Sequence, residues 1–501
     1  MKFRSTRNSS ISLNASEVIL KGISEEGGLF VPESFPDLRS EMKKMSKMTY
    51  NELSKKIIFC FLTDFTEDEI VSCVENAYTA EKFGAAEPVK LKKTDKNTHI
   101  LELWHGPTCA FKDMALQILP HFLTTSLKKN AGGKKAMILV ATSGDTGKAA
   151  LEGFKDVDGT EIIVFYPKDG VSDIQKRQMA TQEGENLFVC GVDGNFDDTQ
   201  TGVKEIFTDE EIIQAAGENK LFFSSANSIN FGRLLPQIIY YFYAYFKLYQ
   251  DGEIESFDDK INVVVPTGNF GNILAAYYAM QMGLPVNRFI CASNANNVLT
   301  DFINTGVYNK KREFHLTSSP SMDILISSNL ERLLFHIAGE DSEKLGAWMN
   351  DLNANGIYEI DAETKNTMKK LFCGGYCDDD ETAEMIKKLF AEKNYLADTH
   401  TAVAVGVYEK YLTETGDKTP AVIASTASPF KFADSVCAAL GAEIISDSFQ
   451  QLEILENISG EKAQSQLKNL KEKEIRFSVS IDKTEMPEFV RGKIENRQES
   501  V

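Results

Sequence analysis

No run of 18 apolar residues occurs in the chain. The richest stretch, residues 238–248, is too short and too rich in tyrosine to span a bilayer, so no membrane partner is expected. Met1-Lys2-Phe3-Arg4 leads into polar Ser and Asn, where a secretory leader would place an apolar core. Basic residues are also in deficit. Lys and Arg number 54 against 73 Asp and Glu, a formal charge of −19. A nucleic-acid partner, which calls for a basic face or stripe, is therefore not expected. A small anionic ligand in a locally positive pocket remains compatible with that balance. Cysteine is sparse, eight in 501 residues, and Cys373 and Cys377 stand one residue too far apart for a redox or zinc knuckle. The six histidines are scattered. No metal site is expected, and the chain reads as a protein of the reducing cytoplasm with unpaired thiols.

Hydrophobic residues make up 43% and charged residues 25%, ordinary globular usage. The length suggests about three domains. Residues 1–92 carry little strand alternation. Helix-period apolar positions run over 50–62 and 66–83, with Asn51 and Thr66 as caps, so a small, mostly helical N-terminal domain is expected. Beyond it, short apolar strands alternate with helix-length segments. Strands are expected at 99–104, 135–142, 161–166, 187–192, 260–266, 288–292 and 421–425. This alternation indicates an α/β fold with mainly parallel sheet over 93–460. A smaller subdomain is expected at about 135–225, and a helical elaboration at about 310–415. The charge-rich segment 461–501 is expected to be peripheral, a helix with a mobile end.

Four strand-to-loop junctions carry residues suited to chemistry. Pro266-Thr-Gly-Asn-Phe-Gly-Asn272 joins an apolar strand to a helix of small residues. Such a loop exposes backbone N–H groups and the positive end of a helix dipole to a phosphate, although a tight turn would use the same residues. Thr142-Ser-Gly-Asp-Thr-Gly147 stands in the same context and suits a carboxylate or phosphate, or simply a capped junction. His105-Gly-Pro-Thr-Cys-Ala-Phe-Lys-Asp-Met-Ala115 places Lys112 behind Phe111 where a turn gives way to a helix. A lysine desolvated there has a lowered pKa and an amine free for Schiff-base chemistry, whereas most lysines are solvated surface charges. Ala424-Ser-Thr-Ala-Ser-Pro429 closes the last strand, at the sheet edge where open α/β folds bind ligands. Together an amine, an anion cradle and a hydroxyl are what a pyridoxal-phosphate enzyme supplies to its cofactor.

These motifs resemble those of the threonine synthase family, in the fold-type II group of pyridoxal-phosphate enzymes. The resemblance also takes in Ser5-Thr-Arg7, Gly27-Gly-Leu-Phe-Val-Pro32, Ser319-Pro-Ser-Met-Asp323 and Asp398-Thr-His-Thr-Ala402, and so covers nearly the whole chain. It implies two open α/β subdomains with a small helical N-terminal domain, and pyridoxal 5'-phosphate as cofactor. It implies that Lys112 is the Schiff-base lysine and proton shuttle. It implies a phosphate cradle of Gly268, Asn269, Phe270, Gly271 and Asn272, with Thr426 at the pyridine nitrogen. The 142–147 loop is similar to the segment that holds the substrate carboxylate (Thr142, Ser143, Gly144 and Thr146) and flanks the cofactor ring (Asp145). Arg7 and Arg233 are candidates for the substrate phosphate. The implied substrate is O-phospho-L-homoserine, converted with water to L-threonine and phosphate, and the long form of the family tilts the expectation toward a monomer. Two departures bear on substrate contacts. The family's His-Pro-Ala-Lys is Ser428-Pro-Phe430-Lys here, and Asn8 stands where a glycine usually follows Ser-Thr-Arg. A phospholyase releasing 2-oxobutanoate and ammonia, or a non-catalytic cofactor-binding homologue, would present the same cofactor residues.

Overall fold

The computed structural model describes residues 1–142, 144–168 and 171–495. Two sheets form its frame. The larger has six strands in the order Phe372–Tyr376, Val286–Ser293, Ile261–Pro266, Ala421–Ser425, Thr98–Glu102 and Lys90–Asp95. All neighbours are parallel except the last pair. The smaller has five parallel strands, Ser480–Asp482, Leu187–Asp193, Thr160–Pro167, Lys135–Ala141 and Leu221–Ser224. Helices cover both faces of a parallel sheet, so its inner strands are continuous apolar runs rather than alternating ones. Every residue of Ile261–Pro266 and of Ala421–Ser425 is buried. Each of the seven segments expected to be extended is a strand, within two residues at either end.

The helix Phe231–Gln250 packs against the helices Tyr50–Phe61, Asp113–Leu116 and Gly271–Gln281. It is apolar nearly all round because it is buried nearly all round. Through it the N-terminal segment is fastened to the element that begins at Lys112.

Two expectations are corrected and one is extended: the mostly helical N-terminal region also holds a small sheet, in which Lys2–Ser5 pairs antiparallel with Leu13–Asn14 and Phe30–Pro32. Strands of two to four residues are too short to show an alternation. The cap of Tyr50–Phe61 is Thr49, in a reciprocal capping box with Glu52, while Asn51 reaches the Tyr78 carbonyl instead. Thr66 does cap Glu67–Ala77. Over its described residues the C-terminal segment carries the expected helix but is not peripheral: Ser480–Asp482 adds an edge strand to the smaller sheet, and Met486–Glu495 buries Met486, Val490 and Ile494 against it, while the expected mobile end, 496–501, lies outside the described residues. The elaboration after 310 is mainly helical, yet it also contributes the edge strand Phe372–Tyr376. Among the described residues no helix is long and apolar enough to cross a membrane.

Candidate active site

Four loops leave the C-terminal ends of parallel strands, the edge at which such sheets bind ligands. Thr98–Glu102 and Ala421–Ser425 are neighbours, so the loops that follow them run side by side. The Phe111 amide donates to the Thr426 carbonyl at 2.8 Å, and Ala110 bridges Ala427. This pairing sets Lys112 at the head of the short helix Asp113–Leu116.

Lys112 is buried. Its Nζ lies 3.3 Å from Ser321 Oγ, 3.5 Å from Asp145 Oδ2 and 5.0 Å from the centre of the Phe111 ring. Burial pushes its pKa down; Asp145 opposes that shift, and Lys431 and Arg233 reinforce it. Asp145 in turn is held chiefly by Lys431, whose side chain is wholly buried and whose Nζ lies 2.6 Å from Oδ1. Gln175 donates to the same oxygen at 2.9 Å. Burial alone would raise the Asp145 carboxyl, but Lys431 and Lys112 bring it far below the usual carboxylate range. Lys431 also donates to the Thr108 carbonyl at 3.0 Å.

The loop before Gly271–Gln281 turns through Phe270 in the left-handed region, φ +63°. No side chain caps this helix. Its first N–H groups are therefore open to an anion. Gly268 passes so close to the strap 319–323 that a Cβ there would sit 2.5 Å from the Ser321 carbonyl oxygen. The loop is pinned from outside by Ser327 Oγ on the Gly268 carbonyl, 2.7 Å, and Asn329 Nδ2 on the Asn269 carbonyl, 3.0 Å. Tyr241 engages Asn272 Oδ1, which leaves the buried Asn272 Nδ2 without a partner among the described residues. Arg233 Nη1 donates to the Ala226 carbonyl at 2.9 Å, while its buried Nε has no partner among the described residues. Burial brings this guanidinium down to about 10. Buried donors without acceptors are costly unless a ligand completes them. An uncapped helix start, two such donors and a desolvated lysine fit a phosphorylated aldehyde cofactor.

On the opposite side, Thr142 Oγ1 accepts from the amides of Gly144 (3.0 Å) and Gly147 (2.9 Å), which folds the loop ahead of Asp145–Phe154. Gly144 has φ +133°, and a Cβ there would meet Gln175 at 2.5 Å. Thr146 is half-buried; Ser143 lies outside the described residues. Thr426 is buried beside the Lys112 loop. Arg7 is committed elsewhere, to a two-pronged ion pair with Glu331 at 2.9 and 2.6 Å. Of the two arginine candidates, Arg233 carries a buried donor without a partner among the described residues.

Two participants escaped the sequence reading. Lys431 figured only as the last residue of a departing motif. Ser321 belongs to a motif that had no assigned role, and its placement depends on a second one: its amide donates to His400 Nε2 at 3.2 Å, while His400 Nδ1 meets Asp398 at 2.8 Å. Ser428 caps the turn Pro429–Phe432 and donates to Gln464 at 2.7 Å, and Phe430 is buried.

Three family models match the chain: one described as threonine synthase N terminus over residues 2–78, one as pyridoxal-phosphate dependent enzyme over 90–372, and one as threonine synthase, C-terminal over 401–490. Threonine synthase-like 1 of Homo sapiens is 40% identical over 453 residues, covering 88% of this chain and 60% of its own. The chain thus spans about three fifths of the length of that relative. Threonine synthase of Saccharomyces cerevisiae is 37% identical, covering 87% of this chain and 89% of its own. Among solved structures, the pyridoxal-phosphate-bound threonine synthase of Brucella melitensis superposes with a TM-score of 0.87 at 34% identity, covering 99% of this chain and 100% of its own. The yeast threonine synthase structure gives 0.88 at 32% identity, covering 100% and 99%.

Proposed function

The chain belongs to the threonine synthase family of pyridoxal-phosphate-dependent enzymes, and from that premise we propose that it converts O-phospho-L-homoserine and water into L-threonine and phosphate. The observation that carries this reading is the pairing of a desolvated lysine amine with a buried arginine whose Nε awaits an acceptor.

In this reading pyridoxal 5'-phosphate is bound through Lys112, the Gly268–Asn272 amides and Thr426, and it supplies the electron sink for charge developing at the substrate's Cα and Cβ. Lys112 does the proton work. Its amine, whose pKa burial lowers, accepts the Cα proton and moves protons at Cβ as phosphate leaves Cγ. A base so placed contributes roughly a hundred- to ten-thousand-fold. Ser321 Oγ holds the Nζ between these positions through its 3.3 Å hydrogen bond. The 142–147 turn and the helix start behind it receive the substrate carboxylate. Arg233 Nε orients the leaving phosphate.

The test is incubation of the cofactor-loaded protein with O-phospho-L-homoserine, with amino acid, oxo acid and phosphate measured together. Threonine in step with phosphate is the expected result. A second reading has its own support, in that Ser428 and Phe430 depart from the family motif. Under it the protein is a phospholyase, and 2-oxobutanoate with ammonia would replace threonine.

A further inference from the structure

Two lysines converge on one carboxylate. Asp145 receives Lys431 Nζ at 2.6 Å on Oδ1 and Lys112 Nζ at 3.5 Å on Oδ2. The closer contact belongs to the lysine that is wholly enclosed, and whose remaining hydrogen bond goes to a backbone carbonyl. We propose that Lys431 is a positioning residue that occupies Asp145, so that this carboxylate does not capture the Lys112 amine as a close ion pair. A buried lysine beside an unshared carboxylate would settle into such a pair and remain protonated, and a protonated amine is neither base nor nucleophile. With Lys431 in place, Asp145 is already neutralised and Lys112 meets both a spent partner and a second positive charge.

Every charged group around the pair acts consistently with this division. Lys112 faces Asp145, Lys431 and Arg233, of which only Asp145 favours the ammonium. Lys431 faces, besides Asp145, the buried Asp113 and Cys109. Burial lifts the Asp113 carboxyl to about 6 and the Cys109 thiol to about 12. At 2.6 Å, Asp145 is the closest carboxylate to Lys431. The inference rests on the reading that Lys112 acts as a free amine. Its test, however, requires no turnover.

The full-length chain freed of cofactor is treated with formaldehyde and cyanoborohydride across a pH series, and methylation of Lys112 is followed by peptide mass spectrometry. In Lys431→Met the pH of half-reaction should rise by about one unit, a tenfold loss of free amine at fixed pH. Lys431→Arg should restore the parent midpoint, and Asp145→Asn should lower it. An unmoved midpoint in a folded Lys431→Met protein overturns the proposal. If that variant does not fold, Asp145→Asn decides, and a midpoint that stays or rises there overturns it equally. Failure of threonine formation would leave the titration untouched, so the two readings fail separately.

Discussion

Lys112 and Asp113 are adjacent buried ionisable groups, and each has a different consequence for measurement. If Lys112 holds the cofactor as proposed, replacing it with Ala should abolish both the visible absorbance of the loaded protein and its turnover. Retention of either would contradict the assignment. Asp113 bears on stability instead. Burial raises its carboxyl from 3.8 to about 6, against hydrogen bonds from Thr108 and the charge of Lys431. The folded chain therefore keeps a proton that the unfolded chain releases, and stability falls as pH rises from about 4 through 6. The difference between 3.8 and about 6 corresponds to about 3 kcal/mol. Relative to the parent, Asp113→Asn should gain that amount between about pH 4 and 7 in paired urea titrations; a constant difference would place the proton elsewhere.

At the scale of elements, the strap 319–323 and the loop 266–272 touch through a glycine. Gly268→Ala sets a Cβ 2.5 Å from the Ser321 carbonyl and must push the strap away from Lys112. Displacements of this kind weaken a positioned site by roughly tenfold to a hundredfold. Absorbance titration should thus show cofactor affinity falling by at least about tenfold with the melting profile little changed. The helix Met486–Glu495 offers a contrast. Met486 is fully buried against Gly202, and Met486→Ala should cost about 2–5 kcal/mol with the Lys112 region undisturbed. Differential scanning calorimetry would register it.

What could be read in advance follows from locality. Ile261–Pro266 announces itself because both faces are covered and every residue is apolar. Lys2–Ser5 and Ser480–Asp482 have charged or hydroxylic residues at exposed positions, and become strands only by virtue of their partners. The same holds at the site. Lys112 and the two glycine turns lie within contiguous motifs. The ion pair of Lys431 with Asp145, and the hold of His400 on the Ser321 amide, join segments far apart in the chain. No local pattern encodes such a meeting.

For the molecule as a whole, the candidate site draws its walls from both large sheets. The 142–147 turn comes from the smaller and the loops bearing Lys112, Phe270 and Thr426 from the larger. A ligand spanning them fastens the two together. Cofactor at about a hundred times its dissociation constant should add about 2.7 kcal/mol. The melting temperature should rise accordingly, and the rise should shrink in Lys112→Ala. The chain is expected to sediment as a single copy; a dimer mass would redirect attention to its exposed faces.

The central position of Ala421–Ser425 also governs when the protein can exist at all. This strand fills the gap between Ile261–Pro266 and Thr98–Glu102. On the ribosome, the two flanking strands emerge long before the one that joins them, each with an unsatisfied edge. Lys112 is translated well before Thr426 and Lys431 and cannot meet either until the intervening strands and helices have followed. A nascent or truncated product that stops short of Ala421 thus exposes two open strand edges, and the arrival of this one strand is the folding landmark that closes them.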